Sequence, residues 1–301
     1  METRRRVINA DLIKTLSSLG CVILKDELLS KHCSFKIGGR ADFFIEIPNE
    51  QSLLEFLKNI EGYKFYVLGS GTNVLFSDEG YRGAIVSLAG QFKEISVCGK
   101  EIFCGSAAPI SNVLNASLRY NLTGLECAAG IPGTVGGAVC GNAGSKDRWI
   151  GSVVRNVKVY KGLKKEVIDK KKIIFSYRKS NLANCIVTGV SFVLKKDTKN
   201  DSLSVVSDNI KRRLESQFLN APSAGSIFKN PDGYSAGKLI EEVGLKGTYS
   251  GGAQISKLHG NFIINTGGAS SKDVVFLVEL VKEKVKEKFN LALETEIKII
   301  K

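Results

Sequence analysis

Between residues 50 and 60, apolar side chains recur at Leu53, Leu54, Phe56, Leu57 and Ile60, a spacing that lines one face of a helix. Asn49 stands where a capping side chain belongs, and Pro48 closes the segment before it. Segments 42–47, 65–68 and 84–88 are β-rich and bounded by turn residues. Strand, helix, strand, glycine turn, strand describes a small α/β unit. From about 91 to 194 the chain is richer in strand, at 157–160, 166–168 and 190–194, with a turn at Gly162 and one helix over 109–120. Segment 195–202 is polar and charged, and is the expected linker. A helix over 203–219 leads into a last unit. There Ser270 caps a helix, Asp273 follows three residues on, and Val274, Leu277, Val278, Val281, Val285 and Phe289 form its apolar face. Segment 293–300 is the expected final strand, with Glu294 and Glu296 on one face.

Two segments break this regular patterning with glycine. Residues 130–144 hold Gly130, Gly133, Gly136, Gly137, Gly141 and Gly144, six glycines in fifteen positions. Each interior glycine costs roughly 0.5–1 kcal/mol relative to alanine in a regular element. Something must offset that, and an extended anion held by bare N–H groups is the candidate. The upstream turn Gly69, Ser70, Gly71, Thr72, Asn73 follows the strand at 65–68. Neither segment has the Rossmann or Walker spacing. Together they suggest two glycine turns gripping one long cofactor.

Composition narrows the classes. A chain of 301 residues, 43% hydrophobic and 24% charged, can bury a sizeable core and suits two or three domains. No apolar run approaches the ~20 residues that span a bilayer. The first residues are basic but are not followed by a signal-peptide core. Seven scattered cysteines, none in Cys-x-x-Cys spacing, argue against a disulfide framework and a zinc site. With only His32 and His259 present, a histidine-rich metal site is excluded. The net charge of +13 is spread along the chain and reads first as a lysine-rich surface, then as attraction for an anionic ligand, and last as nucleic-acid binding.

Three further clusters could carry chemistry. Between Pro222 and Pro231 stand Gly225, Ser226, Lys229 and Asn230, which place a hydroxyl, an ammonium and an amide close in sequence. Serine is a weak acid and needs a neighbouring charge or water to donate a proton. Arg178 follows Tyr177, and its planar fork matches a carboxylate. Glu296 offers a carboxyl near the end of the chain. Taken singly, Ser226 is better read as a loop serine and Arg178 as a surface arginine, and Glu296 also fits an exposed strand edge.

Taken in order, these segments, with Ser34 to Asp42, Ala236 to Glu241, Gly251 to Gln254 and Leu293 to Glu296, closely resemble the UDP-N-acetylenolpyruvoylglucosamine reductases, bacterial flavoenzymes of peptidoglycan synthesis. The resemblance implies an α+β / α/β fold. Two parts, 1–90 and 91–196, would clasp FAD in the vanillyl-alcohol-oxidase-like manner, and an α/β domain over 203–301 would bind the nucleotide sugar. It implies Arg178, Ser226 and Glu296 as catalytic residues. Gly69, Ser70, Gly71, Thr72, Asn73, Gly130, Gly133, Thr134, Gly136, Gly137, Asn142 and Gly144 would bind FAD. Tyr177, Lys229, Asn230, Lys238, Gln254 and His259 would line the substrate site. NADPH would be the hydride donor and a UDP-sugar the acceptor, in a cytoplasmic monomer that uses no metal and binds neither nucleic acid nor membrane. The chain lacks the inserted substrate-covering segment of one family branch. His32–Cys33, Lys179 and Cys140 depart from the family pattern without removing a catalytic residue. Another FAD oxidoreductase on the same scaffold and a basic nucleic-acid-binding protein are the competing readings.

Overall fold

The structure, a computed structural model, describes residues 8–144, 148–216 and 221–301. The chain packs as two compact units. The first comprises Met1–Lys25, Phe43–Gly69 and Gly83–Lys211, and the second Asp26–Asp42, Ser70–Arg82 and Arg212–Lys301. This division differs from the expected boundaries at 90/91 and 196/203. Segments 26–42 and 70–82 belong with the carboxy-terminal unit, to which Val74–Phe76 pairs through Lys298–Ile300 and Ser34 bonds through Ser223, and their side chains Phe35, Ile37, Leu75 and Phe76 are fully buried.

In the first unit, Asn49 caps the helix Glu50–Asn59 by accepting from the Ser52 N–H at 2.9 Å. Such a cap contributes about 1 kcal/mol. Leu53, Phe56 and Leu57 bury beside Leu12 and Leu16 of the helix Ala10–Ser18 and against Ile45, Ile47 and Val86. Strand Phe65–Leu68 pairs in parallel with the neighbouring strand from Ala84 to Ser87. A five-stranded antiparallel sheet follows, in the order Lys164–Asp169, Val154–Lys161, Ile186–Val193, Glu101–Gly105, Ile95–Cys98. Its central strand Ile186–Val193 is buried at every position but the last, so both of its faces are covered, with Thr188 and Ser191 as buried polar members. The helix Ile110–Arg119 and the short helix Val135–Cys140 cover this sheet.

The expected linker is not free chain. Lys195–Lys196 pairs with Leu122–Thr123, the Asp197 N–H donates to Asn121, and the buried Asp197 carboxylate accepts from the Ser202 N–H at 3.1 Å. The helix that follows is Ser202–Ser216, and the rest of its expected span lies outside the described residues.

In the second unit a four-stranded antiparallel sheet runs in the order Ser223–Ser226, Phe262–Asn265, Ala253–Ile255, Tyr249–Ser250. The 19-residue helix Ser271–Phe289 packs on it with Val274, Leu277, Val278, Val281 and Val285 buried. The anticipated Ser270–Asp273 capping box is present. The loop at Asp78 adds a second clamp, since its carboxylate accepts from both the N–H and the hydroxyl of Ser271. The final strand is Lys298–Ile300, paired in parallel with Val74–Phe76, and not the longer 293–300. The reason is that the chain ahead of it spends its hydrogen bonds elsewhere. Lys229 donates to the Glu294 carbonyl, and Thr295 makes a single bridge with Phe228.

Candidate active site

The first unit holds Arg178 and one glycine run. Tyr177 and Arg178 form the two-residue reversal between strands Phe175–Ser176 and Lys179–Ser180. Arg178 has φ +54°, a left-handed conformation that costs a non-glycine residue roughly 1–2 kcal/mol. Backbone strain of this kind persists only where surroundings enforce it, and it concentrates at functional sites. Here the enforcement is visible. The Arg178 Nη1 donates to the Gly144 carbonyl at 2.9 Å, and the guanidinium carbon lies 5.5 Å from the Tyr177 ring centre. The buried Asn142 amide donates to the Ser176 carbonyl at 2.9 Å and accepts from the Gly151 N–H at 3.1 Å, while the Ser180 hydroxyl donates to Cys140. The end of the glycine run is thus stitched to the turn that presents Arg178.

The rationale for the glycines changes with the structure. The N–H groups of Val135, Gly136 and Gly137 are not bare. They donate to the Ala108 carbonyl, the Ser106 carbonyl and the Thr134 hydroxyl. A side chain at Gly136 would meet the Ser106 Cβ at 3.0 Å, and one at Gly144 would meet the Arg148 carbonyl at 2.4 Å, so these positions need glycine for close packing. Gly130 and Gly133 need it for conformation, at φ +69° and +131°. A side chain on Gly69 would come within 2.6 Å of the Thr134 hydroxyl, so the strand-end glycine and the second run are in direct contact.

The second unit holds the remaining catalytic candidates. Strand Ser223–Ser226 pairs Ser223 with Ile264 but Ser226 with Phe262, so one extra residue bulges out before Ser226. Gly225 occupies the bulge at φ +73° with nothing within 4 Å of a would-be side chain. Bulges of this kind re-aim the side chain that follows and are frequent beside active sites. Beyond it, Asn261 clamps Phe228 on both sides. Its Oδ1 accepts from the Phe228 N–H and its Nδ2 donates to the Phe228 carbonyl, both at 2.8 Å. Glu296 is anchored by its own backbone, whose N–H donates to the Ile227 carbonyl at 2.7 Å. The Asn73 amide donates to the Glu296 carbonyl at 3.2 Å, and Lys298 returns an N–H to Asn73 at 3.1 Å. Ile227, the residue after Ser226, is therefore joined by hydrogen bonds to Glu296 and through it to Asn73.

Several other expected site residues have engaged side chains. Lys229 is ion-paired with the exposed Glu294. Asn230 accepts from the Ala236 N–H at 3.0 Å, at the start of helix Ala236–Glu242, on which Lys238 is exposed. Gln254 is buried and donates to the Gly247 carbonyl at 3.2 Å. The half-buried His259 accepts at Nδ1 from the Asn261 N–H at 3.2 Å. Burial holds its imidazole below the ordinary histidine value, with Lys246 acting in the same direction.

Two buried polar residues lie outside the motifs that the sequence singles out. Asn261 lies in an apolar strand entry, where a lone amide is a hint of a specific partner. Glu126, just before the glycine run, is a buried carboxylate. Burial alone would raise its pKa, but the Gly124 N–H and the hydroxyls of Thr123 and Ser202 hold it below the usual range. Among the described residues no group of three or more histidine, cysteine or acidic side chains could hold a metal, and no helix is long and apolar enough to cross a membrane.

Within each unit there are backbone N–H groups at positive-φ glycines, Gly130 and Gly133 in the first and Gly71 in the second, a type of donor that receives phosphate oxygens. Open space beside Gly225 leaves Ser226 approachable. These features fit a flavin dinucleotide. The family model described as "FAD binding domain" matches residues 41–163, and that described as "UDP-N-acetylenolpyruvoylglucosamine reductase, C-terminal domain" matches 217–300. The class defined by fold and site is therefore an FAD-dependent oxidoreductase. A UDP-N-acetylenolpyruvoylglucosamine reductase of Clostridium botulinum (strain Okra / Type B1) is 41% identical over 283 residues, covering 92% of each chain. One from Clostridium novyi (strain NT) is 40% identical over 302 residues, covering 98% of each. The crystal structure of the enzyme from Thermus caldophilus superposes with a TM-score of 0.82 at 34% identity, covering 93% of this chain and 99% of that one. The chain belongs to the UDP-N-acetylenolpyruvoylglucosamine reductase family.

Proposed function

We propose that Ser226, Arg178 and Glu296 carry the family's reaction in this chain: the FAD-dependent, NADPH-driven reduction of UDP-N-acetylglucosamine enolpyruvate to UDP-N-acetylmuramate, in peptidoglycan biosynthesis. Bound FAD would supply the hydride, drawn from NADPH, that the methylene carbon of the enolpyruvyl group accepts. The remaining work falls to the protein. The Arg178 guanidinium binds the carboxylate into which negative charge spreads. Glu296, in its protonated form, donates a hydrogen bond to the same developing charge. Such preorganised donors are worth roughly 3–4 kcal/mol each. The Ser226 Oγ gives its proton to the carbon next to the carboxylate, and that C–H bond completes the saturated lactyl ether.

One observation carries most of this reading: the glycine bulge that precedes Ser226 sits on the same hydrogen-bonded segment as the Glu296 backbone. The turn from Gly69 to Asn73, with Gly130, Gly133, Thr134, Gly136, Gly137 and Gly144, is the hold on FAD. Asn142 serves this hold through the backbone it pins. Tyr177, Lys229, Asn230, Lys238, Gln254 and His259 are the substrate-lining set. Segments 1–90 and 91–196 serve the flavin and 203–301 the sugar, in a cytoplasmic monomer of the shorter family branch without nucleic-acid affinity. The test is stopped-flow absorbance of the Ser226→Ala flavoprotein. Reduction by NADPH proceeds at the native rate, while reoxidation by the enolpyruvyl sugar slows by about 10²–10⁴-fold. Equal loss in both half-reactions refutes the assignment.

A further inference from the structure

We infer that Ser34 is a positioning residue that holds the Gly71 turn in register with the strand bearing Ser226. The Ser34 hydroxyl donates to the Ser223 carbonyl at 2.6 Å, and its N–H donates to the Gly71 carbonyl at 3.0 Å. The hydroxyl oxygen also lies 3.3 Å from that Gly71 oxygen. One residue therefore touches both the turn assigned to the flavin's diphosphate and the first residue of strand Ser223–Ser226. Strand Ser223–Ser226 itself pairs with Phe262–Asn265, so the Ser34 hydroxyl reaches it from outside the sheet ladder. The contact is tight on the turn's side as well. A side chain on Gly71 would lie 2.3 Å from the His32 carbonyl and 2.7 Å from the Cys33 Cα, so the chain just ahead of Ser34 lies directly against the turn.

The Ser223 carbonyl precedes the bulge that aims Ser226. Without the Ser34 hydroxyl it loses its donor, and the strand is free to shift at the end nearest the bulge. A displacement of about 1 Å at a reacting group can cost on the order of 10²-fold in rate. Hydride delivery from NADPH to the flavin does not use Ser226 and is spared. The inference rests on the proposed role of Ser226 as proton donor.

The test compares Ser34→Ala, Ser34→Thr and Ser34→Cys flavoproteins. FAD affinity is measured by quenching of flavin fluorescence, and the two half-reactions by stopped flow. In Ser34→Ala, FAD binds about three- to tenfold more weakly, the net worth of one hydrogen bond. Per bound flavin, reduction by NADPH stays within about twofold and reoxidation slows by about tenfold or more. Threonine, which keeps the hydroxyl, restores both. Cysteine, a weak and long donor, falls between, and reports the same split should the alanine variant not fold. Unchanged reoxidation, or equal slowing of both half-reactions, overturns the inference. Ser226→Ala separates the two claims. If it retains reoxidation, the proton-donor reading fails while the FAD-affinity arm still judges Ser34. If it is inactive and Ser34→Ala is not, only the Ser34 inference falls.

Discussion

The N–H of Glu296 donates to the carbonyl of Ile227 at 2.7 Å, so the segment carrying the candidate acid is hydrogen-bonded to the residue next to Ser226. On its other side the Glu296 carbonyl accepts from Asn73. Two hydrogen bonds to its backbone therefore help to fix the position of Glu296. Both remain when its carboxyl is altered.

That makes Glu296→Gln an informative substitution. Glutamine keeps the shape and a weak donor but cannot be the acid. Flavin reduction by NADPH should remain within about twofold, and reoxidation by the enolpyruvyl sugar should fall by about 10²–10³-fold, the usual cost of one preorganised donor. Stopped-flow traces read both phases. Near-native reoxidation would remove Glu296 from the chemistry.

Arg178→Lys tests whether the fork matters or only the charge. Arg178 spends one terminal nitrogen on the Gly144 carbonyl and stands over the Tyr177 ring. A lysine ammonium cannot hold that carbonyl and engage a carboxylate bidentately at the same time. We expect kcat/KM to drop by about 10²-fold or more with bound flavin retained. A loss under about threefold would show that a point charge suffices.

Local structure was legible wherever the cause was local. Asn49 and the Ser270–Asp273 pair behave as caps because their partners lie three residues away. The helix faces follow from periodicity, and the strand at Phe65–Leu68 from β-rich residues bounded by turn residues. What could not be read is set by partners far along the chain. Val74–Phe76 pairs with Lys298–Ile300, and Ser34 bonds to Ser223, across separations that leave no periodic trace. Those long-range pairings draw 26–42 and 70–82 into the carboxy-terminal unit. They also shorten the last strand, since Glu294 to Glu296 bond to the Ile227–Lys229 segment instead of extending the ladder. Part of the glycine run answers to close packing rather than to a ligand. Its density was visible, but at Gly136 and Gly144 the need is close packing on Ser106 and Arg148, which only coordinates reveal.

Gly71→Ala should separate folding of the turn from folding of the chain. A Cβ there would sit 2.3 Å from the His32 carbonyl, at a backbone φ of +64° that alanine tolerates poorly. The left-handed conformation alone costs roughly 1–2 kcal/mol, and the contact must be relieved by opening the turn. The variant should elute from gel filtration without flavin colour and melt lower, by roughly 2–4 °C for each kcal/mol lost. A yellow variant with native melting would show that the turn does not hold FAD.

His259 gives a pH signature whose sign follows from burial. In the folded chain its imidazole is held below the ordinary value by desolvation, and its Nδ1 accepts from the Asn261 N–H while neutral. In the unfolded chain it takes a proton near the ordinary value of about 6.5. The unfolded state then binds more protons, so this group's stabilisation is complete above about pH 6.5 and is lost as pH falls through the depressed folded value. Nearby Glu241 opposes the depression and Lys246 assists it, which leaves the direction unchanged. His259→Gln removes the titration while keeping an acceptor for Asn261. Melting temperatures from pH 7.5 to 5 should therefore fall more steeply for the native chain than for the variant, the two curves converging toward the acid end if glutamine is the weaker acceptor at neutral pH. Parallel curves across that range would mean that His259 is protonated at no cost in the folded protein. Its place as a neutral, backbone-bonded member of the substrate-lining set would then have to be given up.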